Sequence, residues 1–239
     1  MPNSAKIQEQ LLDAPARAQG AFQRLLLASG VLSSMLYVFT DVVGGLRYPG
    51  YSFTSQAISE LGAIGAPSES FVDPLFVIYN VLVVLFGIGV AREAAGRGRG
   101  LRITGALLTA YGAIGILGPI VMGPTFFKME QRGVGTVAGD LPHILLTAAL
   151  VLLMLLAIGF GAFAFGRRFR VYSFATMATI VGLGALTVPF AARLAAGEPT
   201  PGFGIVERID VYSLLLWIAV LAGSLLRLQW TRTEARAAS

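Results

Sequence analysis

Charged residues divide the chain into six uninterrupted apolar runs, at 25–40, 74–91, 103–127, 141–166, 171–192 and 211–226. Their lengths bracket the ~20 residues a helix needs to cross about 30 Å of hydrocarbon, and flanking residues extend the short ones. No alternation of period two appears, so a barrel is not indicated. The pattern predicts an all-α polytopic membrane protein, a six-helix transmembrane bundle with spans at about 25–46, 72–91, 103–123, 141–165, 171–192 and 208–228. The spanning domain, 24–228, lies between tails at 1–23 and 229–239. Arg17 and Arg24 precede the first run as in a secretory signal, yet no A-x-A-like site follows and Asp41 interrupts its end, so it reads as an uncleaved anchor. Residues 1–23 are polar and Ala-rich with one weak helical stretch at 7–12, which predicts a mobile tail.

Composition agrees: of 239 residues, 55% are hydrophobic and 13% charged, with a mean hydropathy of +0.73, far from the quarter charged of a soluble domain. The absence of Cys excludes disulfide scaffolds, thiolate zinc sites, iron-sulfur clusters and cysteine nucleophiles, and a single His excludes His-rich metal sites. Neither a metal nor a cofactor is indicated. Lys and Arg number 18 against 13 Asp and Glu. In so apolar a chain this excess points to leaflet anchoring, with membrane lipids as partners and no nucleic acid.

Its distribution sets an orientation. Lys6, Arg17, Arg24, Arg92, Arg97, Arg99, Arg102, Arg167, Arg168, Arg170, Arg227, Arg232 and Arg236 fall on one side, against Arg47, Lys128, Arg132, Arg193 and Arg208 on the other. Because basic residues in short loops resist translocation, both termini are expected in the cytoplasm of a plasma (inner) membrane. The cytoplasmic connections, an Arg/Gly hinge at 96–100 and the turn at 166–170, read as bland staples. The outer connections are longer and mixed in charge, and function is sought there.

The first outer loop, 47–74, is too long for a turn and too apolar to be only solvated. Residues 54–61 predict two helical turns stopped by Gly62 at positive φ. Asp73 before Pro74 predicts a capped start for the second span, and Asp140 with Pro142 does the same for the fourth. Ser59 and Glu60 lie inside the short helix beside apolar neighbours; the Glu60 carboxylate reads as a general base, a ligand for an amine, or a solvated face. His143, in the first turn of the fourth span, reads as a satisfied polar residue, a titrating group, or a partner of Asp140. Glu207 and Asp210 share a face near the start of the sixth span, where the helix dipole favours negative charge.

Two charges oppose their dipoles: Asp41 at the C-terminal end of the first span and Arg208 at the start of the sixth. Each needs another partner, and a pair between them would set the first and sixth helices side by side. No phosphate loop, G-x-S-x-G elbow or H-E-x-x-H helix is present. Mid-span charges and a repeat between the halves are missing too, so coupled transport lacks support.

The segments ISELGAIGAP (58–67), GDLPH (139–143) and GIVER (204–208) resemble the DUF998 family of bacterial and archaeal six-span membrane proteins, across about 25–226. More distantly, the serine, acid, glycine and proline pattern after the first span is similar to the Frag1/DRAM/Sfk1 family of eukaryotic six-span proteins, some linked to lipid handling. That family usually has Asp where this chain has Glu60. The resemblance implies a topology and motif positions but no reaction. The expected function is binding of a lipid head group or small amphipathic ligand at the extracytoplasmic face by Glu60, Asp140, His143, Glu207 and Arg208, with Asp41 and Arg208 as a structural ion pair. Two alternatives remain open: an interfacial lipid hydrolase or transferase using Ser59, Glu60 or His143, and an accessory subunit docking a membrane protein partner.

Overall fold

The computed structural model describes residues 3–95 and 97–237; residues 1–2 and 238–239 of the expected tails, and Gly96 of the expected hinge, lie outside them. The helices follow as α1 (Asn3–Leu46), α2 (Glu69–Glu93), α3 (Arg99–Met122), α4 (Pro124–Phe127), α5 (Val137–Gly161), α6 (Arg167–Thr187), α7 (Phe190–Ala195) and α8 (Phe203–Ala237), with a 3-10 turn at Ser59–Gly62. Six of them, α1, α2, α3, α5, α6 and α8, carry stretches long and apolar enough to cross a membrane. The chain is therefore a six-helix transmembrane bundle.

The long helices close a ring in chain order: α1 against α2 and α8, α2 against α3, α3 against α5, α5 against α6, and α6 against α8. Each contributes to one core, with Leu27, Phe86, Leu108, Ile158, Ile180 and Trp217 as examples. The indole of Trp217 donates to Ser173 Oγ at 3.0 Å, satisfying the one polar atom that this large side chain brings inside. The outward faces are also apolar, as at Val171, Phe174, Val181 and Leu186 on α6, because lipid tails are no less apolar than the side chains they meet. α2 and α3 approach most closely through glycine. A Cβ on Gly105 would lie 2.5 Å from the backbone nitrogen of Ala91 and 2.6 Å from the carbonyl of Gly87.

Several local expectations need correction. The backbone is helical from Asn3, continuous with the first span, where one weak helical stretch at 7–12 was expected. The fifth span stops at Thr187, since Pro189 lacks the N–H that would continue the ladder, and a separate short α7 follows. α2 begins at Glu69 and α5 at Val137, so neither Asp73 nor Asp140 is a cap, and Pro74 and Pro142 lie inside their helices. Thr136 caps α5 by accepting from Gly139 N at 3.0 Å.

The 47–68 loop folds over one end of the bundle, burying Ala57, Ile58, Leu61 and Ala63. It does so with tight turns and the 3-10 turn rather than two α-turns. The positive-φ glycines of the loop are Gly50, at 77°, and Gly65, at 76°, not Gly62. Local propensity yields here because the Ile58 N–H is taken by the Glu207 carboxylate, 149 residues away, and is lost to a local ladder.

Candidate functional site

The loop end of the bundle is held by a buried polar node. Asp41, near the end of α1, is fully buried. Its Oδ1 accepts from Arg208 Nη2 at 2.7 Å, and its Oδ2 accepts from Arg208 Nε at 3.0 Å and from the Tyr212 hydroxyl at 2.5 Å. Nη2 also donates to Tyr51 Oη at 2.8 Å, while Nη1 faces the carbonyls of Phe53 (2.7 Å), Gln56 (2.9 Å) and Gly204 (3.1 Å). All five guanidinium N–H groups are thereby engaged, which stabilises a buried cation and leaves none for a ligand. Gly204 makes this geometry possible: a Cβ there would fall 2.5 Å from the Phe53 carbonyl oxygen, so only glycine lets the loop settle one turn before Arg208.

A second pair fastens the loop to the segment between α4 and α5. Glu60, also buried, accepts from Arg132 Nη2 at 2.7 Å and Nε at 3.1 Å, from Ala57 N at 2.8 Å and from Gln56 Nε2 at 3.3 Å. Arg132 Nη1 continues to the Glu198 carbonyl at 2.9 Å, and the Thr200 hydroxyl donates to the Ser55 carbonyl at 2.6 Å. Three long connections thus meet on residues 55–60. Beside them Lys128 bridges Glu69, at 2.5 Å, and Asp73, so Asp73 serves an ion pair. Burial opposes the Lys128 charge, but the two carboxylates outweigh it and raise its pKa. Burial likewise pushes the Tyr51 and Tyr48 hydroxyls up.

The expected site residues separate into two groups. Glu60, Glu207, Arg208 and Asp41 are joined through residues 51–60 of the loop. His143 and Asp140 bond elsewhere, His143 Nδ1 to the Phe127 carbonyl at 3.1 Å and Asp140 Oδ1 to the Glu130 N–H at 3.0 Å. Asp210, expected on one helix face with Glu207, has a buried Oδ1 with no partner among the described residues. The Ser59 hydroxyl makes no hydrogen bond among them, and the Glu60 lone pairs are occupied. Among the expected candidates Ser59, Glu60 and His143, no nucleophile and base are therefore paired.

Arg132, Tyr51, Tyr212 and Gly204 escaped sequence reasoning. The available signals were a lone base in a loop opposite an acid, and a glycine one helical turn before an arginine. At the opposite end, a connection read as a bland staple begins beside buried Glu93, which accepts from Gln23 Nε2 and Arg232 Nη1, each at 3.4 Å, and from Gln229.

Outside the node, along α8, runs an open groove of about 470 Å³, lined by Phe53, Thr54, Ile205, Arg208, Ile209, Tyr212, Ser213 and Leu216. Its walls are almost wholly apolar, with the Thr54 hydroxyl from the loop and the Ser213 hydroxyl from α8 among them. Ser52 Oγ and Thr54 Oγ1 are 3.0 Å apart, and Ser55 Oγ is 3.5 Å from Thr54 Oγ1. A family model described as a protein of unknown function (DUF998) matches residues 31–224. No curated protein and no solved structure matches the chain.

Proposed function

We propose that this chain, which belongs to the DUF998 family of proteins of unknown function, binds a lipid or small amphipathic ligand at the extracytoplasmic face of the plasma (inner) membrane, with both termini in the cytoplasm. The observation that carries the reading is the groove on α8, an apolar length that carries the Thr54 hydroxyl of the 47–68 loop. Residues 205 to 216 rise about 16 Å along a helix, enough for much of one acyl chain within a leaflet. The node gives the groove a fixed roof, because the Phe53 and Gln56 carbonyls accept from Arg208 and the Thr54 carbonyl accepts from the Ile205 N–H.

Charge recognition is not what this site offers. Arg208 lines the groove with its donors spent on Asp41, Tyr51 and backbone carbonyls, and Glu60 and Glu207 are turned to Arg132 and Ile58. The polar groups left on its walls are the Thr54 and Ser213 hydroxyls, each in short-range hydrogen bonds with acceptor capacity to spare, and hydroxyls suit an uncharged or zwitterionic head. Of the expected ligand residues, Glu60, Glu207 and Arg208 thus serve the roof while Asp140 and His143 bond elsewhere, and binding is favoured over catalysis because Ser59 has no base.

Native mass spectrometry of gently purified protein is the test. A lipid adduct should survive on the wild type and be lost when Ile209→Trp or Leu216→Trp fills the groove. A bare wild-type protein, or identical adducts on folded tryptophan variants, would refute the reading.

A further inference from the structure

The two ends of the bundle treat their cations differently. At the loop end Lys128, Arg132, Arg193 and Arg208 each pair with a carboxylate, and Arg47 lies over the Phe71 ring at 4.3 Å. At the other end the guanidinium groups of Arg99, Arg102, Arg167 and Arg168 have no hydrogen bond, ion pair or ring contact among the described residues, and all four are exposed.

These four gather around the end of α5. A Cβ on Gly100 would lie 3.0 Å from the Phe160 carbonyl oxygen, which sets the start of α3 against the last turn of α5. α6 then begins at Arg167, a short turn beyond Gly161. Arg170 lies over the exposed ring of Phe163, 4.7 Å from its centroid, at the same place. Helix electrostatics does not account for the arrangement, since a cation in the first turn of α3 or α6 is repelled by the positive end of its own dipole. Among the described residues no carboxylate pairs with any of the four, and an exposed aromatic ring beside guanidinium groups suits the boundary between acyl chains and phosphates.

We infer that Arg99, Arg102, Arg167 and Arg168, flanking the end of α5, form a docking surface for the phosphate head groups of anionic phospholipids in the adjoining leaflet. The inference does not depend on the groove or its ligand, which lie at the other end.

Lipid titration of the full chain in detergent, read by native mass spectrometry, tests it. Phosphatidylglycerol should be retained over phosphatidylcholine by at least about fivefold, what one arginine near an anionic surface contributes. The preference should shrink as ionic strength rises and resist millimolar inorganic phosphate. Replacing all four by glutamine should abolish it, whereas Arg47→Gln should leave it intact. Equal retention of the two lipids by the wild type would overturn the proposal whether or not the variants insert and fold. So would full competition by free phosphate, or an undiminished preference in a folded quadruple variant.

Discussion

Removing Arg208 should cost more than removing Asp41, and the difference follows from what each substitution leaves behind. In Arg208→Gln the Asp41 carboxylate stays fully buried with Tyr212 as its remaining hydrogen-bond donor, the situation in which breaking a buried pair costs about 3–5 kcal/mol. In Asp41→Asn the guanidinium keeps Tyr51 Oη and the carbonyls of Phe53, Gln56 and Gly204, and its side chain is 11% exposed. The loss there is of charge-assisted hydrogen bonds, about 1.5–3 kcal/mol. The double variant removes both charges and should lose no more than Arg208→Gln alone, a coupling of about 1.5 kcal/mol or more. Thermal unfolding in detergent reads all four proteins, with roughly 2–4 °C expected per kcal/mol for a chain near this length. Additivity within about 0.5 kcal/mol, or a larger loss for Asp41→Asn, would refute the assignment of a buried, mutually dependent pair.

Gly204→Ala should release the loop from α8, because the added methyl occupies the space of the Phe53 carbonyl; faster proteolysis within 47–68 would report it, and an unchanged cleavage rate would count against the close approach. Arg132→Gln strands the buried Glu60 carboxylate and should cost about 1.5–3 kcal/mol, visible as faster amide exchange over residues 56–62. Lys128, Tyr51 and Tyr48 all have folded pKa values raised above their ordinary ones. Their stabilisation is therefore complete below the unfolded values and declines as pH climbs through the alkaline window above about 10. Melting temperature should fall there, less steeply in Lys128→Met. Single cysteines at Gly98 and Val134 in this cysteine-free chain should be shielded and labelled, respectively, by an impermeant reagent applied to intact cells; the reverse pattern would invert the proposed orientation.

The spans were legible because lipid imposes one rule, apolar residues for the length of a crossing, and the runs between charges obey it. The signs of Asp41 and Arg208 against their helix dipoles marked both as needing partners, and in the structure they are bonded to each other. Helix starts were misread because a plausible local cap competes with remote demands. Asp73 goes to Lys128 and Asp140 to the Glu130 N–H, leaving Thr136 to cap α5 and Glu69 to begin α2. The loop was read as an α-helix since its residues permit one, but a 3-10 turn wins where Glu207 claims the Ile58 N–H. Arg132 was invisible as a partner of Glu60 because nothing local in a loop residue names an acid 72 positions earlier.

The ring that places α1 beside α8 also imposes a schedule on biosynthesis. Asp41 precedes Arg208 by 167 positions, and at about 5–20 residues per second the ribosome needs roughly 8–33 s to reach the arginine. During that interval α1 is already in the membrane with an uncompensated carboxylate near its end, which favours a register that keeps Asp41 among head groups and water. Only α8 brings both the guanidinium that neutralises it and the Gly204 turn on which the loop settles.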